Sequence, residues 1–224
     1  MPLQFGRNIT EGISGVLVYL LIYAVLTTLL SAAIALLYQY GYISQNNSTF
    51  LGNVASLLPL SIAVIIYLRV YKGASKPEIY KSLGLVSKGV RYKLLLAAML
   101  FIIVLLLEMA VNLAGYVTNT TINTNVSQVL SGAPVWFLVF IAVIEPINEE
   151  LLFRSFLVPR LGIIPSALLF GLAHYSYMST FGVEMIAAFV FGITAGYIFK
   201  KTGSAYPSML AHITVNTIAV LSML

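Results

Sequence analysis

Long runs of apolar residues dominate this chain, and they are separated by short polar connections. The runs fall at about residues 16–40, 51–71, 93–115, 134–158, 162–178, 183–200 and 204–223. A bilayer-spanning helix needs about 20 such residues, so the pattern predicts a polytopic all-α membrane bundle. Seven transmembrane helices fit the spacing. Two runs are short and the 134–178 region divides in more than one way, so the range is six to eight. The first run is too long for the core of a cleaved signal peptide and reads as a retained helix.

The polar connections differ from one another. Residues 71–93 form a basic one, with the sequence YKGASKPEIYKSLGLVSKGVRYK. Within it Ser75, Pro77 and Glu78 have the spacing of a capping box, which predicts a short helix lying at the membrane surface. Connections 41–50, 116–133 and 179–182 contain no Lys or Arg, whereas Arg7, Arg69, Lys72, Arg154, Arg160, Lys200 and Lys201 flank the others. Basic residues concentrate on the cytoplasmic side of membrane proteins, so the N-terminus is expected inside and the C-terminus outside.

Composition agrees with this reading. Of 224 residues 60% are hydrophobic and 8% charged, and the mean hydropathy is +0.97. Soluble domains carry about 25% charge. The net charge of +5 is accounted for by the one-sided basic connections, which points to membrane lipids as partners and away from nucleic acid. The absence of cysteine excludes disulfides, a thiol nucleophile and thiolate-bound metal. Asn46, Asn47, Asn119 and Asn125 begin N-x-[ST] triplets on the expected outer side, but so does Asn8 on the inner side, which makes the pattern weak.

Against this apolar background the stretch IEPINEELLFRSFL, residues 144–157, is anomalous. It holds three of the seven acidic residues, and a charge at mid-membrane costs roughly 3 kcal/mol on insertion scales. On a helix Glu150 and Arg154 are about 40° apart and able to pair. Glu149 lies about 140° from Arg154 and has no partner on its own helix. Glu145 is one turn away, with Pro146 between. An ion-pair network holding helices together explains Glu150 and Arg154 but not Glu149.

The two histidines, His174 and His212, also fall in apolar runs. At ~1.5 Å per residue from the cytoplasmic ends, Glu149 lies ~14 Å deep, His174 ~18 Å and His212 ~12 Å. Asn216 shares a face with His212. Convergence of polar groups from three helices at one depth suits a buried site. Its chemistry is hydrolytic: a water nucleophile, Glu149 as base, a histidine to orient the water or protonate the leaving amine, and Asn216 or a histidine on the oxyanion. Zn²⁺ or another divalent cation on Glu149, His174 and His212 is the other form of the same site. The HExxH spacing is absent, and both forms stay open.

The motifs Glu149-Glu150-Leu-Leu-Phe-Arg154, Phe170-Gly-Leu-Ala-His174 and His212-Ile-Thr-Val-Asn216 together resemble those of the CAAX-processing and bacteriocin-processing (CPBP, or Abi) intramembrane proteases. That family includes the type II CAAX prenyl endopeptidases. The resemblance implies Glu149, Glu150, His174, His212 and Asn216 as active residues, with Arg154 and Phe170 in support. It covers about residues 133–222, which divides the chain into N-terminal membrane helices (1–132) and a catalytic core (133–224). Many family members carry glycine where this chain has Ser155. The implied activity is cleavage of a peptide bond near the cytoplasmic face, in a peptide or protein substrate of the CAAX type, prenylated or otherwise membrane-associated. Two other readings accommodate a Glu/His cluster in a membrane. One is a proton-coupled transporter or channel, although no internal repeat is evident. The other is a non-catalytic scaffold or immunity protein that keeps the motifs for packing.

Overall fold

The computed structural model describes residues 9–86, 89–117, 130, 132–174 and 183–222, and all regular structure among them is helical. Arg7, Asn8, Lys88, Asn119 and Asn125, used in the sequence reading, lie outside the described residues. Helix α1 is Ile9–Gln39. Helix α2, Gln45–Tyr71, is interrupted at Leu58, where Pro59 opens its second part. The short α3, Lys76–Ser82, and the long α4, Val90–Val117, follow. Helix α5 is one continuous run over residues 135–161. Helices α6, Ile163–Ala173, α7, Val183–Thr202, and α8, Tyr206–Leu221, complete the order.

Each of the seven apolar runs coincides with one of these helices. Among the described residues four of them contain a stretch long and apolar enough to cross a membrane: Thr10–Gln39, Gln45–Tyr71, Val90–Ala110 and Met185–Thr202. The other three fall short for identifiable reasons. The 11 residues of α6 reach about 16 Å and the 16 of α8 about 24 Å, against a hydrocarbon core of about 30 Å. Helix α5 is long enough but is interrupted by its own charges.

Large apolar side chains cover the outside, among them Leu17, Leu21, Leu29, Leu95, Leu106 and Leu172. In water such a surface would be an aggregation liability, whereas facing acyl chains it is expected. Helix α1 packs along α2, where the Tyr19 and Tyr23 hydroxyls donate to the Leu60 and Ser56 carbonyls, and at its start it meets the end of α5. A Cβ on Gly12 would lie 2.5 Å from the Arg160 carbonyl oxygen, so the absence of a side chain is what lets α1 approach the end of α5.

Helix α5 is the axis of the molecule, with nearly every residue from 145 to 158 buried. The larger apolar cluster surrounds it with Tyr19 from α1, Tyr67 from α2, Leu100 from α4, Phe170 from α6 and Phe199 from α7. Helix α5 is not a uniform α-helix. Two wide π-type turns, Phe140–Ile144 and Leu151–Leu157, each end immediately before an α segment whose second residue is proline, Pro146 or Pro159. In the first, the Glu145 N–H bonds back to Phe140 across five residues. The next donor in that register would be Pro146, which has no N–H, so the Ile141 carbonyl loses its partner within the helix. Asn216 Nδ2 of α8 donates to that oxygen at 3.1 Å.

The connection between α3 and α4 is held from three sides. Ser155 Oγ of α5 donates to the Leu83 carbonyl at 2.8 Å. The Ala205 N–H, ahead of α8, donates to the Gly84 carbonyl at 3.2 Å, and Lys93 of α4 reaches the Val86 carbonyl. Gly84 has φ +67°, and a Cβ there would sit 2.8–2.9 Å from the Ala205 nitrogen, the Phe199 ring and the Gly203 oxygen. Three helices around α5 are thus joined through one loop. Helix α3 itself opens on the expected cap: the Glu78 carboxylate accepts from Ser75 N at 2.8 Å and Ser75 Oγ at 2.6 Å. These two bonds hold its pKa below the ordinary carboxylate value.

Candidate active site

Glu149 and Glu150 occupy the α-helical segment between the two wide turns of α5, and both are buried. Glu150 Oε2 lies 2.9 Å from Arg154 Nε, the i,i+4 contact that the spacing predicts. It is a charge–charge contact more than a linear hydrogen bond. The Arg154 guanidinium is fully buried and lies 4.1 Å from the centroid of the Phe170 ring and 5.1 Å from that of Phe191. Two aromatic faces therefore share a cation that one carboxylate neutralises. Phe170 of the second motif is thus packed on the arginine of the first.

The other oxygen of Glu150, Oε1, is 3.2 Å from His212 Nδ1. A carboxylate only accepts, so Nδ1 carries the proton and the lone pair of the neutral ring is on Nε2. That nitrogen lies 3.8 Å from Glu149 Oε2. His174 repeats the arrangement by a different route. It sits at the C-terminal end of α6, where its Nδ1 donates at 2.8 Å to the carbonyl of Phe170, one turn back. A carbonyl likewise only accepts, so Nε2 is again the nitrogen with the lone pair. Phe170 is 4.6 Å from His174 and 5.8 Å from His212, centroid to centroid, and packs against both rings.

The result is a compact set. One ligand-type atom from each of Glu149, His174 and His212 lies within 4.8 Å of the others. Three side chains from three helices, expected at a common depth, are brought together. Outer partners fix both imidazoles through Nδ1, as in metal-binding histidines and in histidines that exchange protons. The donor set of one carboxylate and two imidazoles fits a zinc-sized cation in number and type.

Asn216 is placed differently from the remaining motif residues. Its amide is engaged with the Ile141 carbonyl, so at least one of its N–H groups closes the helix defect made by Pro146. Sequence reasoning missed three contributors. Phe191 is one apolar residue among many in α7. Ser61 of α2 donates to Asn148 Oδ1 at 2.6 Å, a contact between residues far apart in the chain. The third is the loop at Leu83 and Gly84, where Ser155 donates its hydroxyl to the Leu83 carbonyl.

Residues 131–218 match the family model described as Type II CAAX prenyl endopeptidase Rce1-like. The matched stretch contains all three motifs and the whole of the Glu149, His174 and His212 set. No curated protein and no solved structure matches the chain.

Proposed function

Because residues 131–218 match the model of the type II CAAX prenyl endopeptidases, we propose that the protein hydrolyses a peptide bond through a water activated by Glu149. The observation that carries this reading is the meeting of Glu149, His174 and His212 within 4.8 Å. Glu149 takes a proton from water, and the water oxygen attacks the carbonyl carbon of the scissile bond. The tetrahedral adduct collapses with cleavage of the C–N bond, and the proton taken by Glu149 passes to the leaving amine, directly or by way of a histidine Nε2 lone pair. Glu150 holds His212 Nδ1 and is itself held by Arg154, so the pair keeps one imidazole in the required tautomer. Glu150 and Arg154 therefore act on position, and Asn216 steadies the segment that carries both glutamates.

A divalent cation, where one is used, would be held by Glu149, His174 and His212, and would supply polarisation of the carbonyl and a more acidic water. In either form the substrate is a peptide of the membrane or its surface, and the CAAX type of C-terminal segment follows from the family. On the same reading the bundle crosses the membrane six to eight times, with the N-terminus and the basic connection on the cytoplasmic side and the C-terminus outside. A site reached from the cytoplasm is also where buried acids are tolerable in lipid, because they line a polar cavity.

Purified protein in liposomes, given prenylated C-terminal peptides, should release the terminal fragment without moving protons across the bilayer. Proton flux without cleavage would favour a transporter. Cleavage by metal-free protein assigns water activation to Glu149 and the histidines alone, whereas loss on chelation and recovery with Zn²⁺ requires the cation. Single cysteines in place of Lys76 and Asn46 should be labelled from opposite sides of the membrane.

A further inference from the structure

Asn148 belongs to none of the three motifs, yet it is 4% exposed, deep in the bundle, and beside Glu149. Its side chain is half satisfied. The Oδ1 atom accepts from Ser61 Oγ at 2.6 Å, while Nδ2 is buried without a hydrogen-bond partner among the described residues. A buried amide with unused N–H groups is costly, and natural interiors rarely keep one. In a membrane helix such a group is a mark of function unless a structural partner accounts for it.

Helix geometry says where Asn148 stands. Successive residues turn by about 100°, so Glu149 projects between Asn148 on one flank and Glu150 on the other. The Glu150 flank faces α8, because Glu150 contacts His212. The Asn148 flank faces α2, because Ser61 belongs to α2. A carbonyl placed over Glu149 for attack by water thus has His212 on one side and the Asn148 amide on the other. Asn216 is also a candidate donor to that oxyanion, but one of its N–H groups is committed to the Ile141 carbonyl.

We propose that Asn148, oriented by Ser61, donates its amide N–H to the oxyanion that develops on the scissile carbonyl. This rests on the peptidase reading of the same site and adds to it a residue that contacts the substrate. Donors of this kind act in the transition state more than in the ground state, and removing one costs about 10²–10³ in kcat. Ser61 is then a positioning residue, acting through the Oδ1 it fixes.

The test compares wild type, Asn148→Leu with Ser61→Ala, and Ser61→Ala alone. Replacing both partners removes the orphaned amide along with its anchor, so the double variant should melt at or above the wild-type temperature. Its kcat should fall at least tenfold with KM little changed. A peptidyl phosphinate, which carries a tetrahedral oxyanion, should lose affinity tenfold or more relative to the matching uncleaved amide. Ser61→Ala should give a smaller loss in the same direction. A double variant that cleaves at the wild-type rate overturns the assignment. So does one that melts well below wild type, or that loses phosphinate and amide binding equally, because each marks Asn148 as structural. If wild type itself neither cleaves nor binds these peptides, the peptidase reading falls and this inference falls with it.

Discussion

Glu150 is fully buried, lies 2.9 Å from an arginine and 3.2 Å from an imidazole, and its arginine is stacked on two phenylalanine rings. Glu149, the next residue, meets His212 at 3.8 Å and faces His174 with no arginine or lysine paired to it among the described residues. The two carboxylates share a helix turn and a depth but differ in closure. Around Glu150 the charges cancel and each contact fixes another residue in place. Around Glu149 the neighbours are groups that exchange protons or bind cations. A membrane interior admits charge either when it is neutralised by a packed partner or when the charge is used. One helix turn of α5 contains both cases.

The sharpest way to break the comparison is to strip Glu150 of its charge. Glu150→Gln leaves a buried guanidinium without a counter-ion, at a cost of roughly 3–5 kcal/mol. A large drop in melting temperature in detergent, with loss of yield, is the expected result. Glu150→Gln combined with Arg154→Met should recover part of that loss, because no orphan charge remains.

Next in size is the loop that joins the helices around both glutamates. Gly84→Ala forces a side chain into a left-handed backbone conformation and against neighbouring backbone atoms. The strain alone is on the order of 1–3 kcal/mol. Gly41 has φ +76° with nothing within 4 Å of its would-be Cβ, so Gly41→Ala isolates the conformational part. The difference in melting temperature between the two variants measures the packing at Gly84, and equal shifts would show that the loop is not a junction.

The smallest effect concerns Glu78, an acid outside the membrane helices whose pKa is lowered. Glu78 is held below 4.5 by its side-chain and backbone hydrogen bonds to Ser75. A depressed carboxylate stabilises the fold above its unfolded pKa, and that contribution is lost as pH falls through the folded value. Amide exchange over residues 76–82, corrected for its intrinsic pH dependence, should therefore speed up selectively below about pH 4, near the reference carboxylate range.

The sequence made some of this architecture legible and hid the rest for physical reasons. Short-range pairs were visible because a helix sets their geometry: Glu150 with Arg154, and Ser75 with Glu78. The convergence of Glu149, His174 and His212 followed from counting depth along separate helices, with family resemblance strengthening it. Contacts whose partners lie far apart in the chain left no periodic trace, as with Ser61 and Asn148. Pro146 announces a missing helix hydrogen bond, but only the packing of α8 tells which side chain replaces it. The number of membrane crossings was the least legible feature, because α5, α6 and α8 trade length or apolarity for the site they build.

The account stands on the different fates of two adjacent glutamates, and Glu149→Gln tests it most directly. Single-turnover cleavage of a peptide that wild type hydrolyses should fall by at least ~10²-fold, the lower range for losing a general base. The melting temperature should stay near that of wild type, in contrast with Glu150→Gln. A Glu149→Gln protein that cleaves at the normal rate, or one that unfolds as readily as Glu150→Gln, would contradict the division of roles.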